Sequence, residues 1–211
     1  MKLAIMGPPG SGKGTQAEII SKKYKLKYIY TGSLLRKEER RGTKLGKLIS
    51  SLIDKGNYMS SEIVIKILRW RIPKDNFILD GSPRRIGETK WLEKNHPIDL
   101  LIHLEVKEKT MVERLSKRRI CLKCGELYHL VNKRPRKNNI CDKCGSKLSV
   151  REDDKPKIIK HRIKVYKRES LPVARFYDKL NKILHVNGEG NAGETSKRIF
   201  KAIENLKKKG L

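Results

Sequence analysis

The chain has 211 residues, and 51 Lys plus Arg against 23 Asp plus Glu leave a formal net charge of +28. This length suits one α/β domain with insertions or two small domains, and one core with excursions is the simpler arrangement. No apolar stretch approaches a membrane span, and the glycine-rich turn after Met6 breaks the apolar start, so neither a spanning segment nor a signal peptide is read and a soluble cytoplasmic protein is expected.

Leu3-Ala4-Ile5-Met6 reads as a buried strand, and Gln16-Ala17-Glu18-Ile19-Ile20 opens a helix. Between them lies Gly7-Pro8-Pro9-Gly10-Ser11-Gly12-Lys13-Gly14-Thr15, a variant of the phosphate-binding loop with Gly14 inserted before Thr15. Its glycines let backbone N–H groups converge, the helix N-terminus adds partial positive charge, and Lys13 supplies a mobile cation, so the loop is suited to a polyphosphate. Lys27 to Tyr30 reads as a short strand, with Thr31-Gly32-Ser33 offering an N-cap for a helix from Leu34 to about Gly42. Leu45, Leu48, Ile49, Leu52 and Ile53 recur at helical spacing until Gly56-Asn57, which makes 30–59 a small helical flap.

Ser60-Ser61-Glu62 starts an amphipathic helix through Trp70, ended by Pro73. Asn76 to Asp80 is an apolar strand carrying a carboxylate at its C-terminal end, where parallel sheets place ligand groups. Leu100 to Leu104 is a second buried strand, Lys109 to Arg119 a helix leaving the core, Lys182 to Val186 a further strand and Ser196 to Lys208 the closing helix. Strands alternating with helices imply an α/β fold with a parallel sheet covered on both faces.

All four cysteines stand in Cys121-x-x-Cys124 and Cys141-x-x-Cys144 with sixteen residues between the pairs, a zinc pattern. Gly125 and Gly145 permit the turns, and four thiolates close a tetrahedral site with no position for water, so the metal would be structural. Iron fits the same four sulfurs, while two disulfides suit a reducing cytosol poorly. Basic Lys133 to Lys137 lies between the pairs, which admits an RNA-binding knuckle; the favoured role is mechanical, holding together a subdomain too small to own a core. The charge excess asks for polyanionic company, which nucleotides supply and nucleic acid could extend. Because Lys runs along the whole chain, a solvated lysine-rich surface is preferred, and Lys207-Lys208-Lys209 is read as a solvated terminus.

The loop at 7–15, Thr31-Gly32-x-x-x-Arg36, Asp80-Gly81-x-Pro83-Arg84 and a four-cysteine insertion bounded by arginines together resemble adenylate kinases of the zinc-containing long-lid type, over essentially the whole chain. The resemblance implies a P-loop NTPase-type core at 1–29, 60–114 and 163–211, a monophosphate-binding flap at 30–59 and a zinc lid at 115–162. It implies reversible phosphoryl transfer from Mg-ATP to AMP, chemistry that needs charge stabilisation and alignment rather than a covalent catalyst. The resemblance places Gly10, Ser11, Gly12, Lys13, Gly14, Thr15, Arg114, Arg118 and Gly190 at ATP, and Thr31, Arg36, Met59, Gly81, Arg84, Glu88, Arg151 and Arg162 at AMP. Lys13, Arg84, Arg118, Arg151 and Arg162 would be catalytic, and Asp80 would orient the waters of Mg2+. Asp153 and Asp154 resemble lid-hinge carboxylates that partner arginines when the lid closes. Family members are mostly monomeric, and no membrane partner is implied.

Two positions depart from the family. Ser82 stands where Phe is usual, and Glu88 where a glutamine pairs with the adenine edge. An ionised glutamate only accepts hydrogen bonds and suits guanine or cytosine better than adenine N1, so relaxed base selection on the monophosphate side is expected, with a kinase for GMP or CMP as the alternative. The resemblance makes the donor base site largely backbone contacts around Asn187-Gly188-Glu189-Gly190, which carry no side-chain signature and leave use of other triphosphates open. A P-loop switch protein that binds RNA is the competing class, against which the monophosphate-clamping arginines count.

Overall fold

The structure, a computed structural model, describes residues 1–208, so Lys209 of the basic tail lies outside it. Five parallel strands form the central sheet: β1 (Lys2–Met6), β2 (Lys27–Tyr30), β3 (Phe77–Asp80), β4 (Leu100–Glu105) and β8 (Ile183–Asn187), in the order β2-β3-β1-β4-β8. Successive side chains alternate between its faces, as pleating requires. Ala4, Met6, Phe77, Leu79 and Leu101 pack against α4 (Ser61–Leu68), α5 (Ile86–Asn95) and α8 (Leu171–Lys179). Leu3, Ile5, Ile78, Leu100 and Ile102 pack against α1 (Lys13–Tyr24) and α9 (Ala192–Lys208).

The register brings the C-terminal ends together. Ile5 pairs with Asp80, Tyr30 with Asp80, and Met6 with His103, so the glycine loop, Thr31 and Gly81 leave the sheet side by side. Two excursions rise above this edge. One is a helical hairpin, α2 (Thr31–Glu39) and α3 (Lys44–Asp54), the latter capped by Thr43 Oγ1 accepting from Gly46 N at 3.0 Å. The other follows α6 (Glu108–Ser116) and is a small antiparallel sheet of β5 (Arg118–Cys121), β6 (Leu127–His129) and β7 (Leu148–Ser149), ordered β6-β5-β7. A 3-10 turn (Glu152–Asp154) leads from it into α7 (Pro156–Glu169).

Three sequence expectations are corrected here. The helix expected from Leu34 begins at Thr31, with Tyr30 at its N-cap and no side-chain cap; Ser33 Oγ donates back to Tyr30 O at 2.7 Å instead. The helix expected over 109–119 stops at Ser116, because Arg118 to Cys121 form a strand that pairs with β6 and β7. The closing helix begins at Ala192, a turn before Ser196, where Asn191 Oδ1 accepts from Glu194 N.

Candidate functional site

A cleft of about 590 Å3 lies over the C-terminal ends of the strands and is lined by the glycine loop, both excursions and α7. Gly12 takes φ 88° as the cap of α1, which points the first N–H groups of the helix into the cleft. A Cβ at Gly14 would crowd Asp80, standing 3.2 Å from its Oδ2. Asp80 is buried; Tyr28 Oη donates to its Oδ2 at 3.0 Å, while its Oδ1 has no partner. Burial raises the Asp80 carboxyl against the opposing pull of Lys13 and the Tyr28 hydrogen bond.

Among the described residues, Lys13 Nζ meets only Pro8 O, at 3.3 Å, and no carboxylate within ion-pair distance. Burial lowers its ammonium to about 7, with Asp80 opposing and the guanidiniums of Arg84, Arg162 and Arg118 adding to the fall. Arg36 is likewise lowered by burial and by neighbouring Arg151. Among the described residues, Arg36 and Arg84 form no ion pair; the guanidinium of Arg84 instead lies over the Tyr58 ring, 4.8 Å from its centroid. Next to these cations sit two buried hydroxyls without partners, Ser11 Oγ and Thr31 Oγ1. Buried polar atoms are ordinarily satisfied, so orphaned donors beside unpaired cations form a cradle for an anion.

The arginines bounding the four-cysteine insertion are held differently. Arg118 forks onto Asp154, with Nε to Oδ2 at 2.7 Å and Nη2 to Oδ1 at 2.6 Å, and Arg162 Nη1 reaches the same Oδ1 at 2.7 Å. Arg151 forks onto Asp153, with Nε to Oδ1 at 2.7 Å. Burial would raise Asp153, but Arg162 and Arg151 outweigh it and hold the carboxyl far below the usual carboxylate range. Arg162 is lowered to about 10, burial outweighing Asp153. Thus Arg118, Arg151 and Arg162 converge on the cleft from three separate elements, each anchored by the turn at 152–154.

The other residues singled out in the sequence fall in three settings. Gly10, Ser11, Gly12, Gly14, Thr15, Thr31, Arg36, Met59, Gly81, Arg84, Glu88 and Gly190 all line the cleft. Arg114 does so too, but its guanidinium is engaged by carbonyls: Nη1 donates to Ser11 O at 3.2 Å and Nη2 to Gly188 O at 2.9 Å and Gly190 O at 2.8 Å. It therefore ties the glycine loop to the loop after β8. Glu88 and Ser82 are partners, with Ser82 Oγ donating to Glu88 Oε2 at 2.7 Å and Arg84 N to the same oxygen at 3.0 Å. Burial raises the Glu88 carboxyl, opposed by those two hydrogen bonds. Tyr28 and Tyr58 were not singled out by sequence reasoning; the stacked Tyr28–Tyr30 pair in β2, centroids 6.3 Å apart, gave the one available signal, an aromatic repeat at strand spacing.

The four cysteines converge, with Cys121 and Cys144 sulfurs 3.4 Å apart and Cys124 and Cys141 3.5 Å apart. These gaps exceed a disulfide bond of about 2.05 Å and suit four ligands around one ion. Around them the small sheet buries Ile120, Tyr128 and Leu148, a core too small to fold it unaided. In the basic segment between the pairs, Lys133 is paired with Glu126 at 2.5 Å and Arg134 Nε donates to Leu130 O at 2.8 Å. No helix among the described residues is long and apolar enough to cross a membrane.

A glycine loop joining a parallel strand to a helix, with unpaired cations around the cradle, defines a P-loop nucleotide-binding protein. Within that class the chain belongs to the adenylate kinase family, whose profile matches residues 5–182. It is 37% identical to an adenylate kinase of Petrotoga mobilis over 99% of this chain and 100% of that protein. It is also 39% identical to adenylate kinases of Caldicellulosiruptor saccharolyticus and Methanothrix thermoacetophila, in each case over 96% of this chain.

Proposed function

We infer that this chain is an ATP:AMP phosphotransferase that makes two ADP. The observation that carries the reading is the set of cations without ion pairs, Lys13, Arg36 and Arg84, around the orphaned Ser11 and Thr31 hydroxyls of one cleft. A polyphosphate on the glycine loop would meet Lys13 and the amides of α1, and a monophosphate opposite would meet Arg36 and Arg84. Each guanidinium offers a planar fork to phosphate oxygens and stays charged, so in-line nucleotides are aligned while charge shared across the transferring group is stabilised. Arg118, Arg151 and Arg162 approach that group from the lid side, their forks held by Asp153 and Asp154 until phosphates compete for them. Asp80, with Oδ1 free, fits the water shell of Mg2+, which would neutralise charge on the donor phosphates. Zn2+ on the four cysteines would hold the lid sheet together.

The flap at 30–59 and the lid at 115–162 act as covers over a core of 1–29, 60–114 and 163–211, excluding the water that would otherwise hydrolyse the donor. The protein works as a cytoplasmic monomer on ATP, AMP and ADP, and nucleic acid is not its main partner. A coupled assay for ADP with AMP, GMP, CMP and UMP as acceptors tests this. AMP is expected to be the best acceptor, and Lys13→Met and Arg84→Met are each expected to reduce turnover by about 10^2- to 10^3-fold or more. Absence of ADP from ATP and AMP, or unchanged turnover in both variants, would overturn it.

A further inference from the structure

Away from the nucleotide cleft, three donor atoms meet where edge strand β8 joins β4. His103 and His185 are direct partners in the parallel register, and Glu105 lies two residues beyond His103. His103 Nδ1 and His185 Nδ1 are 3.3 Å apart, Glu105 Oε1 is 2.9 Å from His185 Nδ1, and it is 3.6 Å from His103 Nδ1. Ligands about 2.0–2.1 Å from a tetrahedral zinc ion stand about 3.3 Å from one another, the mean spacing of this triangle.

The outer ring nitrogens are also placed as a metal site needs them. His185 Nε2 lies 3.1 Å from Asp178 Oδ1, and His103 Nε2 lies 2.6 Å from Tyr166 Oη. Both ring nitrogens of His185 face a carboxylate, and a neutral ring carries one N–H, so it can donate to only one of them. In the tautomer that donates through Nε2 to Asp178, the Nδ1 lone pair points at the Glu105 carboxylate. Two acceptors at 2.9 Å require a cation between them, either a second ring proton or a metal ion. A histidine bound to metal through one nitrogen and to a carboxylate or hydroxyl through the other is the usual arrangement, since the outer contact fixes ring orientation and tautomer.

We propose that His103 Nδ1, His185 Nδ1 and Glu105 Oε1 form a binding site for a divalent first-row transition ion, with zinc as the expected occupant. Two imidazoles and one carboxylate select such an ion over Mg2+ or Ca2+, which prefer all-oxygen shells. Three protein ligands leave a fourth position for water on the exposed edge, where Glu105 and His185 are accessible and His103 is buried. The ion would cross-link edge strand β8 to β4 and so hold the loop bearing Gly190 against the core.

The test uses full-length protein whose lid already carries one equivalent of zinc, titrated with Co2+ and followed by visible absorption and by calorimetry. One further equivalent is expected, with visible ligand-field bands and no thiolate charge-transfer band, and a rise in thermal midpoint of several degrees. His185→Gln and Glu105→Gln, both at exposed positions and checked for folding by circular dichroism, are expected to weaken binding at least tenfold, and Asp178→Asn about tenfold. His161→Gln is expected to bind as the parent does. Uptake of no second equivalent, cobalt appearing only with thiolate bands, or equal binding by the His185 and Glu105 variants would show that a proton alone bridges these atoms.

Discussion

Ser82 and Glu88, the two residues that depart from the family pattern, form one unit at the end of the cleft proposed for the acceptor. Two hydrogen bonds occupy Glu88 Oε2, leaving Oε1 for the cleft that the residue lines. Because burial raises this carboxyl, it carries a proton at a pH where an exposed glutamate would not, and a protonated Oε1 can donate to adenine N1 as a glutamine amide does. The adenine selectivity of this chain should therefore be pH-dependent. As pH rises through the Glu88 ionisation, kcat/KM for AMP is expected to fall by about tenfold, the worth of one buried base contact, while that for GMP falls less. Glu88→Gln should flatten the AMP profile; an AMP/GMP ratio that tracks pH equally in both proteins would refute the assignment. Lys13 gives a second titration. Its lowered value of about 7 means that at about pH 8 the free enzyme holds it mostly neutral, and a polyphosphate restores the charge. Binding of ATP should then take up a proton, seen as a dependence of calorimetric enthalpy on buffer ionisation heat and lost in Lys13→Met.

The turn at 152–154 concentrates two carboxylates where Arg118 of β5, Arg162 of α7 and the capping Arg151 converge, so it should govern motion of the proposed lid. Asp154 has a fully buried side chain serving two guanidiniums. Asp154→Ala would leave Arg118 without a carboxylate and Arg162 with Asp153 alone, 3.2 Å away, at a cost of about 3 kcal/mol, a fall in thermal midpoint of about 10 °C in a differential scanning experiment. Chelation of the ion proposed on the four cysteines should act on a different element. Amide protection in β5–β7 should vanish while that of α1 and α9, packed on the main sheet, persists; uniform loss of protection would mean the four-cysteine sheet is not a separate unit. How much of this was legible in the sequence follows from how local each cause is. The glycine loop and the Cys-x-x-Cys pairs carry their geometry within a few bonds, so they were read directly. The task assigned to Arg114 was not readable, because its partners at Ser11 and Gly188 lie 103 and 74 residues away. Nor was the end of α6, since Lys117 and Arg118 are good helix formers whose conformation is decided by pairing with β6. The Asp153 and Asp154 pairings were half-legible: the family motif supplied the residues, and only the fold supplied the guanidiniums facing them.

At the scale of the molecule, the net charge of +28 sets two effects in opposition. Charges of one sign repel one another in the compact state, while a cleft lined by unpaired cations draws anionic nucleotides toward it. Salt weakens both, but with opposite signs in different assays. Raising NaCl from about 0.05 to 0.5 M shortens the screening length from about 14 to 4 Å, so the thermal midpoint of the unliganded enzyme should rise while kcat/KM for AMP falls by about tenfold. The turnover number at saturating nucleotide should change much less, because in the proposed complex Lys13, Arg36 and Arg84 contact the phosphates directly and such contacts are screened little. Exposed lysines remote from the cleft supply the long-range part of that attraction, so replacing several of them by glutamate should lower kcat/KM at low salt and leave it unchanged at high salt. If the remote charges were instead inert solvation, the substituted protein would show the same salt curve as its parent, and the attraction would have to be ascribed to the cleft alone.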